Sequence, residues 1–185
     1  AGAIHLMNQI EAHNAAIEAG GEGEAIDEPM IVVLEKGSEI GAHQMSGAVM
    51  DPRALDELIP DWRERDDFPL ERYVEKESLF FLTEQLAFKA PILPPEFHDA
   101  GLPIVSIGKF QQWLAGIAEE KGIQVFPGFP GAALQRDGDK VTGVQLAGSG
   151  VDKHGEHKGN FEPGGILAAK MTVLTPLGWR RLRGA

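Results

Sequence analysis

At 185 residues the chain is long enough for one domain with a real core, and its 43% apolar and 24% charged residues are ordinary for a globular chain. A formal net charge of -11 argues against a nucleic-acid surface, which wants clustered positive charge. The absence of cysteine removes disulfides, thiolate nucleophiles and cysteine-held zinc or iron–sulfur sites. No run of about 18 apolar residues marks a spanning helix, and Ala1 to Leu6 does not read as a signal peptide. With no initiating Met, the chain is expected to begin inside a longer protein.

The first element is a helix from Ile4 to Ala19. Leu6, Ile10 and Ile17 recur at helical spacing, Met7 and Ala15 widen the stripe, and Gly20 and Gly21 end it. Gly21 to Glu28 is an acidic, solvated connection. Ile31-Val32-Val33-Leu34 is short, apolar and mostly β-branched, as suits a parallel strand buried on both faces. Glu35 follows at its carboxyl end. Gly37 to Ala48 is a loop of small residues. Asp51-Pro52 then starts a helix, with Asp as N-cap and Pro at the first helical position. Leu55, Leu58 and Ile59 share its apolar face, and Pro60 closes it.

Asp61 to Glu77 is strongly charged and is expected to be exposed. Leu79 to Thr83 and Phe88 to Leu93 read as extended segments, and Ile104 to Ile107 as a further strand. The second clear helix is Lys109 to Lys121, with Phe110, Trp113, Leu114 and Ile117 as its buried stripe and Gly122 as its cap. Ile123 to Phe126 is the next strand, giving a second helix-to-strand unit. Ala132 to Arg136 and Lys140 to Leu146 form a hairpin about Asp137-Gly138-Asp139. Ala147 to Gly165 reads as a long loop, and Gly165 to Leu174 as a final strand.

Two features point toward cofactor chemistry. In doubly wound dinucleotide folds an acidic residue ending the second strand accepts hydrogen bonds from the adenosine ribose, and Glu35 has that setting. An exposed carboxylate at a strand end is the plainer alternative. The loop Gly41 to Ala48 lets backbone approach a flat ligand, with amides able to bond a flavin edge; as a glycine-containing loop it is otherwise a simple turn. His154 and His157 lie in a polar, Gly-rich loop with no third ligand nearby and read as solvated rather than metal-binding. Met45, Val49, Met50, Leu55, Leu58, Ile59 and Trp62 form either core or an apolar face dipping into one membrane leaflet.

An ordered series of short motifs makes the resemblance specific. It begins with Leu34-Glu35-Lys36-Gly37, Ile40-Gly41-Ala42-His43, Ser46-Gly47-Ala48 and Asp51-Pro52-Arg53-Ala54-Leu55, followed by Pro60-Asp61-Trp62 and Phe81-Leu82-Thr83. It continues with Ile92-Leu93-Pro94-Pro95, Ile104-Val105-Ser106-Ile107-Gly108, Trp113-Leu114, Gly122 to Gly128, Asp152-Lys153-His154-Gly155 and Phe161-Glu162-Pro163-Gly164. In this series, from roughly Ile31 to Val173, the chain resembles the electron transfer flavoprotein–ubiquinone oxidoreductase family.

The resemblance implies an α/β fold, a doubly wound FAD/NAD(P)-binding (Rossmann-like, glutathione-reductase-type) domain. It implies electron flow from electron transfer flavoprotein to ubiquinone at a membrane, through FAD and a 4Fe-4S cluster. By position, Glu35 would hold the adenosine ribose with Lys36 beside it, Ser46 and Gly47 would lie near the flavin, and Gly131, Ala132 and Ala133 near the adenine side. Peripheral membrane contact is implied through residues 41–62, at a bacterial cytoplasmic membrane or the mitochondrial inner membrane. No acid, base or nucleophile is implied, since electron transfer rests on distance and redox tuning.

The chain lacks the strand and G-x-G-x-x-G turn that would precede the first helix, and it has no cysteine to ligate the cluster. After Leu174 the tail, Thr175 to Ala185, with Arg180, Arg181 and Arg183, departs from the family's continuation. The expectation is therefore a partial FAD domain over 1–185, incomplete at both ends. Two other readings stand beside it: a geranylgeranyl-reductase-like or monooxygenase-like flavoprotein, and a non-catalytic fragment.

Overall fold

A computed structural model describes residues 1–151 and 157–175 of the chain. Among them are the helices α1 (Gly2–Glu18), α2 (Arg53–Leu58) and α3 (Ile107–Glu120) and a 3-10 turn at Pro95–Phe97. The strands are β1 (Val32–Glu35), β2 (Ala48–Val49), β3 (Leu70–Tyr73), β4 (Phe80–Leu82), β5 (Ala87–Lys89), β6 (Pro103–Val105), β7 (Gln124–Pro127), β8 (Gly131–Asp137), β9 (Lys140–Leu146), β10 (Ser149–Val151), β11 (His157–Glu162) and β12 (Ile166–Ala168). The class is mixed α/β, with two compact units. One comprises Ala1–Ile31 and Ile40–Gln124; the other comprises Val32–Glu39 and the described residues from Val125 onward. Asp152, Lys153, His154 and Gly155, and the tail with Arg180, Arg181 and Arg183, lie outside the described residues, so the histidine pair is not placed.

The first unit has its core where α1, α2 and α3 supply apolar faces. Ile4, Met7, Leu55, Ile59, Trp62, Trp113, Ile117 and Ile123 are all buried. The buried side of α1 is not the stripe expected from spacing. Ile4 and Met7 are covered, whereas Leu6 is exposed and Ile10 and Ile17 are half-buried. Just ahead of α2 the Asp51 Oδ1 accepts the Arg53 amide at 3.1 Å. The helix starts one residue later than expected, with Pro52 rather than Asp51 at the N-cap position.

α3 buries Trp113 and Ile117 as its spacing predicts. Trp113 joins a cluster with Phe68, Trp62 and Phe110, with ring centroids 4.5 Å apart for Trp62 and Phe68 and 5.2 Å for Phe68 and Trp113. The Trp62 indole Nε1 donates to Asp56 Oδ1 at 2.7 Å. Hydrogen bonds from the Arg63 guanidinium and then from this indole hold the Asp56 carboxyl below the ordinary carboxylate range.

An antiparallel sheet in the order β2-β6-β3 completes the first unit, with β6 central and Pro103 and Val105 buried. β3 lies in the stretch Asp61 to Glu77 that was expected to be charged and exposed. Its side chains are exposed, yet its backbone pairs with β6. β4 and β5 form a separate hairpin in which Phe80 faces Lys89, Phe81 faces Phe88 and Leu82 faces Ala87. The hairpin turn is tied by Thr83 Oγ1, which accepts the Leu86 amide at 3.0 Å.

In the second unit β1 pairs with β7. The Gln124 amide bonds the Ile31 carbonyl at one end and the Phe129 amide bonds the Glu35 carbonyl at the other, so the two strands run in the same direction. Each follows a helix, α1 or α3, as a helix-to-strand unit requires. β12-β9-β8 is an antiparallel sheet. Its β8–β9 hairpin closes where Asp137 pairs with Lys140, across a two-residue loop that Gly138 enters at φ 57°. The expected loop from Ala147 to Gly165 contains the paired strands β10 and β11, a register that the alternation of Gly and charge hid. Parallel pairing among the described residues is confined to β1 and β7; the remaining sheets are antiparallel.

Candidate functional site

The candidate residues divide between the two units. Glu35, Lys36, Gly131, Ala132 and Ala133 belong to the second, and Ser46 and Gly47 to the first.

In the second unit the strand β1 ends at Glu35, and the chain turns at once. The Glu35 carboxylate folds back so that Oε1 accepts the Gly37 amide at 2.6 Å. The turn is stitched to the segment after β7 by two backbone bonds. The Phe129 amide donates to the Glu35 carbonyl at 3.0 Å, and the Gly128 amide to the Gly37 carbonyl at 2.6 Å. Phe129 lies two residues ahead of Gly131, where β8 begins. The fold thus ties the Glu35–Lys36 turn to the segment that leads into Gly131, Ala132 and Ala133. Glu35, Gly131 and Ala133 are half-buried, while Lys36 and Ala132 are exposed. A carboxylate fixed this way offers its remaining acceptor capacity to a ligand hydroxyl. Such an acceptor matches the hydroxyl donors of a nucleotide sugar. The sequence motifs did not identify Gly37 and Phe129 as the residues that orient Glu35; the uninterrupted Glu-Lys-Gly turn was the only signal for the first.

In the first unit Ser46 and Gly47 end the loop that precedes β2, and both are exposed. Gly47 has φ 87°, a conformation open to glycine, and a Cβ added there would meet nothing within 4 Å. The start of this loop is held tightly. Gly41, at φ 83°, packs directly on the backbone of Gly108 in α3.

The apolar residues expected either to fill core or to face a membrane are split. Leu55, Ile59 and Trp62 are core, at 4%, 5% and 1% exposure. Membrane contact through the whole of 41–62 is therefore overturned for these three residues, which are buried within the first unit. Met45 and Val49 are exposed. The larger exposed apolar surface is the β4–β5 hairpin and its surroundings, with Phe80, Phe81, Leu82, Leu86, Phe88 and Ile92 all at least half exposed. Its signal in the sequence was a ribbon with apolar residues at successive rather than alternate positions. Among the described residues no helix is long and apolar enough to cross a membrane, and no group of three or more His, Asp and Glu side chains is placed to hold a metal ion.

No family model matches the chain. Similar curated proteins include electron transfer flavoprotein-ubiquinone oxidoreductases from three sources. The mitochondrial protein of Oryza sativa subsp. japonica is 42% identical over 145 residues, covering 78% of this chain and 24% of that protein. The Pseudomonas aeruginosa protein is 41% identical over 155 residues, covering 81% and 28%. The mitochondrial protein of Bos taurus is 39% identical over 145 residues, covering 77% and 23%. The chain thus spans less than a third of the length of these relatives. Among solved structures, a geranylgeranyl bacteriochlorophyll reductase-like protein from Thermoplasma acidophilum is similar with a TM-score of 0.47 and 16% identity, over 77% of this chain and 32% of that one.

Proposed function

The chain is a sequence relative of one segment of the electron transfer flavoprotein-ubiquinone oxidoreductases, and from that premise we propose that it carries part of the FAD-binding domain of such an enzyme. The whole protein would take electrons from electron transfer flavoprotein and deliver them to ubiquinone in the respiratory chain. The observation that carries this reading is the identity of 42% over 145 residues, 78% of this chain. The doubly wound arrangement is part of the same proposal, with β1 and β7 as two of its parallel strands.

FAD supplies the redox chemistry when bound; this chain's residues bind and orient it. Glu35 accepts hydrogen bonds from the adenosine ribose, and its bond from the Gly37 amide supports that role by fixing the carboxylate. Lys36 lies beside it. Gly131, Ala132 and Ala133 present backbone on the adenine side. Ser46 and Gly47 present backbone amides to the flavin edge, and the exposure of both supports this. A thiolate-held 4Fe-4S cluster would take its ligands outside this chain, which has no cysteine.

The protein acts at the mitochondrial inner membrane or the bacterial cytoplasmic membrane. Contact with lipid falls on the β4–β5 hairpin, where Phe81 and Phe88 form one apolar pair and Phe80 and Leu82 stand on the other face. A ribbon that exposes apolar side chains on both faces, with Lys89 opposite Phe80, is covered more fully by acyl chains than by a flat protein surface, which would cover one face. Burial of each such side chain contributes roughly 1.5–3 kcal/mol.

The test is an absorbance spectrum of the chain refolded with excess FAD and desalted. Retained flavin bands are expected, and Glu35→Gln should weaken FAD retention by about 10-fold, since a charge-assisted bond becomes a neutral one. A colourless wild-type chain refutes the reading.

A further inference from the structure

The loop bearing Ser46 and Gly47 is anchored at its start by α3. A Cβ at Gly41 would lie 2.8 Å from the Gly108 carbonyl oxygen and 2.9 Å from the Gly108 Cα, so two backbones are in direct contact. One residue earlier, the Ile40 carbonyl accepts a hydrogen bond from Gln112 Nε2 at 3.2 Å, across 72 residues of sequence. The Gln44 amide donates to the Gly41 carbonyl at 3.1 Å and closes a turn above this contact. The start of the loop is therefore fixed on the first turns of a helix whose opposite face is pinned in the core by Trp113 and Ile117. Ser46 follows that turn by two residues.

We infer that Gln112 is a positioning residue for the flavin-facing loop. Its side-chain amide fixes the Ile40 carbonyl and so sets where the Ser46 and Gly47 backbone stands before any ligand arrives. Gln112 does not itself touch the flavin. The inference rests on the FAD reading above and deepens it: a loop already ordered loses less freedom when it closes on the isoalloxazine edge. Gln112 is exposed, so nothing in the core depends on it.

Gln112→Glu keeps the shape of the side chain and removes the donor, while Gln112→Lys restores a donor; all three residues have similar helix propensity. Two readouts are taken on the full chain: amide hydrogen exchange at Gln44, Ser46 and Gly47 without FAD, and the FAD dissociation constant. Gln112→Glu is expected to speed exchange at these amides and weaken FAD by about 2- to 10-fold, the worth of one exposed neutral hydrogen bond. The urea midpoint should fall by no more than the loss of that one hydrogen bond, and Gln112→Lys should return both readouts toward wild type. Unchanged exchange and affinity in Gln112→Glu, with a wild-type chain that binds FAD, overturn the inference alone. A wild-type chain that binds no FAD overturns the reading beneath it and the inference together.

Discussion

Gly41 and Gly108 touch, yet alanine at the two positions should have opposite consequences. At Gly41 the backbone has φ 83°, a left-handed conformation that costs an L-residue roughly 1–2 kcal/mol. The new methyl would also meet the Gly108 carbonyl oxygen at 2.8 Å and the Gly108 Cα at 2.9 Å. Both are main-chain atoms of α3, so relief requires moving the loop or the helix start. Overpacking of that kind costs typically about 1–3 kcal/mol. Gly41→Ala should therefore destabilise the chain by roughly 2–5 kcal/mol in total.

At Gly108 the nearest atoms to an added Cβ are the Gly41 carbonyl oxygen at 3.6 Å and Ser106 Oγ at 4.0 Å, which is ordinary contact. The residue is helical, so alanine there should be neutral or stabilise by up to about 1 kcal/mol. Urea denaturation of wild type and the two variants, fitted with a shared slope, reads the difference directly. Equal shifts for the two variants, or a Gly41→Ala midpoint equal to wild type, would refute the close backbone approach.

Trp62 offers a second test of the core. It is 1% exposed and packs on Phe68, so Trp62→Ala should cost about 3–5 kcal/mol in urea denaturation; a loss below 1 kcal/mol, the order of a surface change, would refute its core placement. The hairpin should behave in the opposite way. Leu82→Asp with Phe88→Asp should leave the urea midpoint near wild type, since both side chains are exposed, while abolishing sedimentation with lipid vesicles. Vesicle binding that survives this double change, and is lost instead on Met45→Asp, would move the lipid contact to the loop before β2.

Much of the local structure was legible in the residues. The apolar spacing of α3 marked Trp113 and Ile117 as buried, and Gly138 between two alternating runs marked the β8–β9 turn. Asp51-Pro52 marked the start of α2 to within one residue. The series of motifs from Leu34 onward placed the chain beside its relatives. These signals are local: helix period, turn conformation and cap chemistry depend on neighbours within a few positions.

Tertiary structure decided which apolar residues are covered. Leu55, Ile59 and Trp62 are as apolar as Phe81, Leu82 and Phe88, yet the first group is core and the second is exposed. The difference lies in whether residues distant in sequence supply a second surface, as Phe68 and Trp113 do beside Trp62. For the same reason β3 acquired its pairing from β6, and Glu35 its fixed carboxylate in a turn stitched to Gly128 and Phe129. Sequence alone marked the three helices, the β8–β9 turn and the relatives of this chain. Burial and the setting of Glu35 belong to contacts between residues far apart along it, which no local pattern encodes.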